Sequence, residues 1–552
     1  MNNSDVSRRP HHEVVIVGLG PTGATLANIL AGYEMDVLVL EREESVYPLP
    51  RAVHFDDEAM RVFQSIGLAE GIGRDARVNV GTKFVDRDQK LLLDWPRPQE
   101  IGPLGWYPSY RFHQPDLEAE LNRGIAACKT VTLHRGASVT AVADLGDVVE
   151  VGYSHDGAKQ VVTADYVIGT DGAKSVVRAA MDCEWEDLGF QERWLVIDVQ
   201  LDKPRPDLGD FTIQTCDRDR PTTYVRCPRE WRRWEISLWP EEEADDVTTD
   251  EFIWPRLRPA ITPDEGRIAR KAVYSFESKL ATRWREGRLM IAGDAAHLMP
   301  PFLGQGMCTG IRDVANLAWK LAAVLRWEAP DSLLDSYESE RREHTRTYIE
   351  TAVRVGEMMN SAETAEALTH AIRPDGAAQM NSISRDLDHA IGPPEDEMSG
   401  MRMPQPRLDT GELLGDAMAG RFAVIGPGEV LEKVTLPPEN IAAAISAEAH
   451  PEVAEVFSDL GITAMILRPD FYCFGSVGPQ NSGGSRGMEA PLPDAGRPRP
   501  PAGQSGAHPR GLCCGSDPRR PVRGSQPTFP AGRRGPSRSR SVTQIPLHRS
   551  DT

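Results

Sequence analysis

Six residues restrict the fold of this chain more than any others: Gly18-Leu19-Gly20-Pro21-Thr22-Gly23. The run before them, EVVIV, is short, apolar and β-branched, so it reads as a buried strand. The run after them, ATLANILAGY, has helical spacing, and DVLVLE is a second buried strand. A glycine turn in that setting suits a dinucleotide for stated physical reasons. Gly18 permits the tight turn, and Gly20 lets backbone N–H groups approach a pyrophosphate at the positive helix end. Gly23 lets the helix pack closely on the strand, with Pro21 and Thr22 completing the turn. Glu41 ends the second strand 18 residues past Gly23, where a carboxylate accepts hydrogen bonds from ribose hydroxyls, and Arg42 follows it. By itself the turn does not separate FAD from NAD.

Two later segments separate them. In RLMIAGDAAHLMPPFLGQGMCTGIRDVANLAWKL, Gly293-Asp294 ends a buried strand and presents a carboxylate suited to a ribityl hydroxyl. Gly304-Gln305-Gly306-Met307 then opens a long helix, expected over about 306–326. Backbone amides at such a helix start can face the N1–C2=O edge of a flavin ring, where the reduced ring carries negative charge. Nicotinamide needs no second anchor this far downstream. The third element is Asp171-Gly172-Ala173-Lys174-Ser175-Val176-Val177-Arg178, again a turn between a strand and a helix. Together the three point to FAD.

This combination resembles the class A FAD-dependent aromatic hydroxylases, the phenol-hydroxylase-like monooxygenases. The likeness runs from about Glu13 to about Gly475, and it looks nearest to the members that hydroxylate 3-(3-hydroxyphenyl)propionate. It is carried by Pro50-Arg51-Ala52, Asp56-Asp57-Glu58-Ala59-Met60-Arg61, Gln114-Pro115, AGDAAHLMP, and Arg312 to Leu321 (RDVANLAWKL). The resemblance implies FAD with NADH or NADPH as transient reductant, O2, and ortho-hydroxylation of a phenolic acid to a catechol through a flavin C4a-hydroperoxide. It also implies that Arg51 and Gln114 contact the cofactor and that Pro300-Pro301 lies beside substrate and flavin. His54, close to Arg51 in sequence, is a candidate acid/base or polarising group, with a structural histidine as the other reading. His297 is expected to orient the strand end. Arg220, Arg226, Arg232 and Arg233 are candidate partners for a substrate carboxylate. Strand alternation sends Arg232 and Arg233 to opposite faces, so most of the four are expected to be solvated surface groups. Alternatives are a hydroxylase acting on another phenol or polyketide aromatic, and a non-catalytic flavin-binding protein.

The expected fold is α/β, a Rossmann-type FAD-binding domain with an inserted antiparallel β-sheet substrate domain and a truncated thioredoxin-like C-terminal region. The domains are expected at 1–184 and 276–395 (FAD-binding, the second with a helical segment), 185–275 (β-sheet) and 396–475 (C-terminal). From Asn481 to Thr552 there are 12 Arg, no Lys and four acids, a net +8, which leaves −28 on the rest of a chain of net charge −20. That acidic body argues against nucleic acid as a partner. The last 72 residues hold 12 Pro and 11 Gly, so 476–552 are expected to be disordered, the product of a frameshift near codon 476 rather than a genuine basic tail. The eight cysteines show no ligand spacing, so reduced thiols and no metal are expected. No apolar run is long enough to span a bilayer and no cleavable leader is visible, so no membrane and a cytoplasmic location are expected, and a homodimer is compatible with the chain.

Overall fold

The computed structural model describes residues 9–49, 51–361, 385–435 and 437–478, with side chains described as far as 357 in the second of these segments. Three larger sheets and one small one organise a mixed α/β structure. In the first sheet, β1 (His11–Val17) lies between two parallel neighbours, β2 (Val37–Glu41) and the strand Ala158–Gly169. Val14, Val15, Ile16 and Val37–Leu40 are buried on both faces, as a strand covered by helices on each side must be. Helix α1 (Pro21–Gly32) follows β1 through the glycine turn, with Pro at its first position where a missing N–H costs nothing. The strand Leu289–Ile291 pairs in parallel with Ala158–Gly169. That pairing brings the 293–307 segment to the same sheet end as the glycine turn.

The second sheet has eight strands and is mainly antiparallel. Its long central strand Trp185–Leu201 pairs with Trp231–Ser237 on one side and Gly266–Ala281 on the other. It reaches beyond 185–275. Gly81–Val85 and Leu91–Pro96 form one edge and His297–Leu298 the other, so the sheet draws on residues on both sides of that span. Thr212–Thr215 runs parallel to Gly81–Val85, a long-range pairing that periodicity along one segment does not reveal.

Three helices complete the frame of the site: α2 (Asp57–Ser65), α3 (Gln114–Ala127) and α4 (Gly306–Arg326). The Asp56 side chain caps α2 by accepting from the Ala59 amide. A fourth, α5 (Asp335–Ser361), packs on α4. The third sheet, of Ala442–Ser446, Phe422–Gly426, Ala464–Leu467 and Cys473–Val477, has a core of its own around Ile425, Met465 and Phe457. Its last strand includes Ser476 and Val477, two residues placed by composition in the tail; from 479 on, the expected disorder lies outside the described residues. No described helix is long and apolar enough to cross a membrane.

Candidate functional site

The glycine turn is built as tightly as its spacing demands. Gly18 has φ +99°, and a Cβ there would meet the Thr170 carbonyl oxygen at 2.7 Å and Asp171 Cα at 2.8 Å. A Cβ on Gly23 would meet the Gly18 oxygen at 2.1 Å. At Gly20, the N-cap of α1, a Cβ would meet no protein atom within 4 Å. The glycine that its neighbours do not require is therefore the one facing open space at the helix N-terminus, which fits a pyrophosphate lying against the backbone. Glu41 braces the turn: its carboxylate accepts from the amides of Leu19 at 2.6 Å and Glu43 at 2.8 Å. Each oxygen keeps a lone pair for a ribose hydroxyl. Arg42 is exposed and pairs with Glu43.

The two downstream segments converge on this turn. Gly293, at φ +60°, packs on Thr22, where a Cβ would stand 2.8 Å from Thr22 Oγ1. Gly310 of α4 presses on the same hydroxyl, its would-be Cβ at 2.5 Å, a contact no motif announced. Asp294 is exposed amid the buried residues Gly293, Ala295 and Ala296, and among the described residues its carboxylate has no hydrogen-bond partner. Asp171 accepts from the Val176 amide through Oδ2 at 2.7 Å, while its buried Oδ1 has no hydrogen-bond partner among the described residues. Burial pushes the Asp171 carboxyl above its ordinary range. An orphaned oxygen, an exposed carboxylate and an open glycine cradle along one surface are what an extended flavin dinucleotide would engage.

At the other end of that surface, Pro300 precedes a short turn, Pro301–Leu303, that ends in Gly304 at φ +65°. Gln305 then caps α4, whose first residues are Gly306 and Met307. His54 closes against this turn. Its Nδ1 lies 3.1 Å from the Gly304 carbonyl oxygen, which can only accept, so Nδ1 carries the proton. Nε2, 2.8 Å from Ser109 Oγ, is then the acceptor, and Ser109 accepts in turn from Asn79 Nδ2 at 2.9 Å. Burial, with Arg97 and Arg111 adding to it, pushes the His54 imidazole down to about 3. His54 is neutral at any working pH, with both nitrogens occupied. His297 is likewise buried, its Nε2 2.7 Å from Asp313 Oδ2, and Asp313 also accepts from the Gly293 amide at 3.2 Å.

Arg51 and Gln114 meet, but through the protein. Gln114 Oε1 accepts from the amides of Arg51 at 3.0 Å and Ala52 at 2.7 Å, and its Nε2 donates to Glu118. Gln114 thus holds the backbone that displays the exposed Arg51 side chain. The expectation for the sheet arginines fails for Arg232 and Arg233, which are 2% and 3% exposed. Arg233 binds Asp198 at 2.7 Å and the Arg51 carbonyl, and Arg232 donates to the carbonyls of Arg229 and Trp231. Arg220 pairs with Glu242. Both side chains are buried and held by acceptors of the protein itself.

The remaining motif residues form a buried charge network. Arg312 donates to Asp56 and, at 2.5 Å, to Glu58, which also accepts from Tyr472 at 2.7 Å and Arg402 at 3.3 Å. Burial opposes the Glu58 charge, but Arg312 and Arg402 hold its carboxyl well below the ordinary range. Farther along α4, Lys320, Asn316 and Arg468 converge on Glu340, each at 2.7–2.9 Å. These contacts join the third sheet to α2, α4 and α5.

Residues 11–352 match the family model described as "FAD binding domain". Among curated proteins the chain is 36% identical over 494 residues, 84% of this chain and 91% of the relative, to a probable NADH-specific resorcinol 4-hydroxylase of Rhodococcus jostii. It is 35% identical over 437 residues, 75% of this chain and 76% of the relative, to a 3-(3-hydroxy-phenyl)propionate/3-hydroxycinnamic acid hydroxylase of Mycolicibacterium smegmatis. Among solved structures, the flavin-dependent monooxygenase PieE in complex with FAD and substrate superposes with a TM-score of 0.75 at 20% identity, over 86% of this chain and 97% of that one. The anhydrotetracycline hydroxylase OxyS of Streptomyces rimosus gives 0.67 at 23% identity, over 87% and 97%. At these identities the two structures speak to fold.

Proposed function

The chain belongs to the FAD binding domain family and is a flavin monooxygenase, and from that premise we propose that it ortho-hydroxylates a phenol using NADH and O2. The balance is one phenol, one NADH, one proton and one O2 giving the phenol with one further ring hydroxyl, NAD+ and water. Two substrates come forward from the relatives' names, resorcinol and 3-hydroxyphenyl acids. When bound, FAD supplies the redox chemistry that activates oxygen, and the protein's part is to bind, orient and keep water out.

The observation that carries the reading is the convergence of three distant segments, 18–23, 170–171 and 293–310, on one surface. On this reading the amides at the start of α1 bind the pyrophosphate, Glu41 the ribose, Asp294 the ribityl chain, and Asp171 the same strip. The first turn of α4, with Gly304, Gln305, Gly306 and Met307, aims backbone N–H groups at the ring edge that becomes negative on reduction. His54 acts by position: it clamps Gly304 from behind and its lone pair is already committed to Ser109. Pro300 and Pro301 form the substrate side of the turn. Next to them Phe302 packs edge-on to Phe190 at 5.7 Å and Trp194 at 6.0 Å, and also against Phe84, Leu93 and Cys216, an apolar wall that excludes water.

The test is NADH consumption by the yellow holoenzyme with resorcinol, 3-(3-hydroxyphenyl)propionate and 3-hydroxycinnamate, with product identification. Substrate-stimulated oxidation yielding a new ring hydroxyl beside the first is expected. Stimulation by none of a broad phenol panel, or a product hydroxylated elsewhere, overturns the proposal.

A further inference from the structure

Most buried arginines of this protein meet a carboxylate or a carbonyl; Arg97 is built otherwise. It is 9% exposed, its Nε and Nη1 are buried, and among the described residues no acceptor meets its guanidinium. A buried guanidinium whose N–H groups meet no acceptor is costly to hold, so a counter-charge from outside the chain is the natural completion.

Its placement says where that counter-charge would sit. Arg97 follows directly on the edge strand Leu91–Pro96 and continues the pairing, its amide donating to the Val80 carbonyl at 3.1 Å. Alternation sends Leu93, Trp95 and Arg97 to one face. Leu93 and Trp95 lie in the cluster that packs on Phe302, beside Pro300-Pro301. The Arg97 backbone is tied to the His54 chain: Gln99 Nε2 donates to the carbonyls of both Arg97, at 3.2 Å, and Asn79, at 3.1 Å. Arg97 is also close enough for its charge to be felt at His54, and for Asp56, Asp57 and Cys308 to act on it in turn. Cys308 is in the first turn of α4.

The nearby acids do not neutralise it. Asp56 and Glu58 are paired with Arg312, and burial, with Asp56 beside it, pushes the Asp57 carboxyl up to about 7. Arg111, the other cation near His54, donates to Thr212 Oγ1 at 2.6 Å. Arg111 in turn adds a like charge beside Arg97.

We propose that Arg97 is the substrate-recognising cation of this site, pairing with an anionic oxygen of the phenolic substrate next to the Pro300–Gly304 turn. The inference rests on the hydroxylase reading above and deepens it. Two oxygens share this chemistry: the side-chain carboxylate of a hydroxyphenyl acid, and the ring phenolate itself.

The test uses FAD-loaded wild type, Arg97→Gln and Arg97→Lys, with resorcinol and 3-(3-hydroxyphenyl)propionate as probes. Steady-state KM and kcat are read together with Kd from the flavin absorbance change on binding. For a carboxylate partner, Arg97→Gln raises KM and Kd for the acid about 100-fold and leaves resorcinol unchanged, the loss expected on removing one half of a buried pair. For a phenolate partner, both substrates lose affinity and turnover alike. In either case Arg97→Lys restores part of the loss and FAD content stays at the wild-type level. Unchanged kinetics with both substrates overturn the proposal, as does loss of FAD from both variants, which would make Arg97 a cofactor ligand. Should no phenol be hydroxylated by wild type, the broader reading fails, while the Kd of the acid still decides whether Arg97 binds an anion.

Discussion

The two ends of α4 treat buried charge in opposite ways. Along its body, Arg312, Asp313 and Lys320 are each matched by groups of opposite charge, in Asp56, Glu58, Arg341 and Glu340, and Asp313 also meets the His297 ring. Around its first turn the nearby cations are Arg97 and Arg111, two charges of one sign beside a neutral His54. A set of charges that closes on itself fixes how elements dock, and removing one member leaves its partners exposed to an apolar surround. A set left open has its complement elsewhere, in a ligand. Burial alone does not distinguish the two kinds of arginine; the partner count does.

The contrast can be broken most forcibly at Glu340. Replacing it with Ala strands Lys320 and leaves Arg468 with Asp470 alone, and a stability loss of about 3–5 kcal/mol is expected in urea denaturation, with FAD uptake by the folded fraction retained. A loss below about 1 kcal/mol would remove the distinction between closed and open sets.

Asp57 lies at the boundary between them and gives a pH signature. Its folded carboxyl keeps its proton up to about pH 7, against 3.8 as the ordinary value, because burial and then Asp56 disfavour the charge. Its contribution is therefore fully present below about pH 4 and is lost as pH rises through 7. Asp57→Asn is expected to be more stable than wild type by about 2–4 kcal/mol at pH 8 and equal to it near pH 4, read from melting curves across pH.

At the open end the effects shift from stability to turnover. Gly304→Ala places a Cβ at φ +65° against His54 Nδ1, at a cost of about 1–2 kcal/mol for the left-handed backbone. The kcat is expected to fall further than the melting temperature implies, with FAD content normal; a proportionate fall in both would make the turn a purely structural element. The smallest change is Ser109→Ala, which removes the partner of His54 Nε2 and costs about 1 kcal/mol. Because the imidazole stays neutral, no new limb near pH 6–7 is expected in the kcat profile, and its appearance would show His54 titrating as an acid/base group.

The local elements of the candidate cofactor surface were legible without coordinates. The strand, turn and helix around Gly18–Gly23, the helix over Gly306–Arg326 and the strand Leu289–Ile291 just before Gly293 stand where periodicity and glycine spacing put them. Each is a local feature, in which a few adjacent residues set a backbone geometry that few other residue types tolerate. The second sheet was legible in texture but not in extent, because the hairpin at 81–96 joins it through Gly81–Val85, which pairs with Thr212–Thr215 more than a hundred residues away. The motif residues of α2, α4 and the 468–472 segment were noticed as a likeness, yet their role as one ion network shows only when three distant segments are docked.

From the sequence alone came the expectation of a dinucleotide-binding turn and of a flavin-edge helix start, which rest on backbone conformation that neighbouring residues determine, and, through a family resemblance, that of a phenol hydroxylase. What only the tertiary structure decided is which charged side chains have partners: that Arg232 and Arg233 are buried and engaged, that His54 is neutral with both nitrogens occupied, and that the Arg97 guanidinium meets no acceptor among the described residues. The reason is physical. A charge is defined by what surrounds it within a few ångströms, and here those surroundings are assembled from residues that the chain keeps far apart.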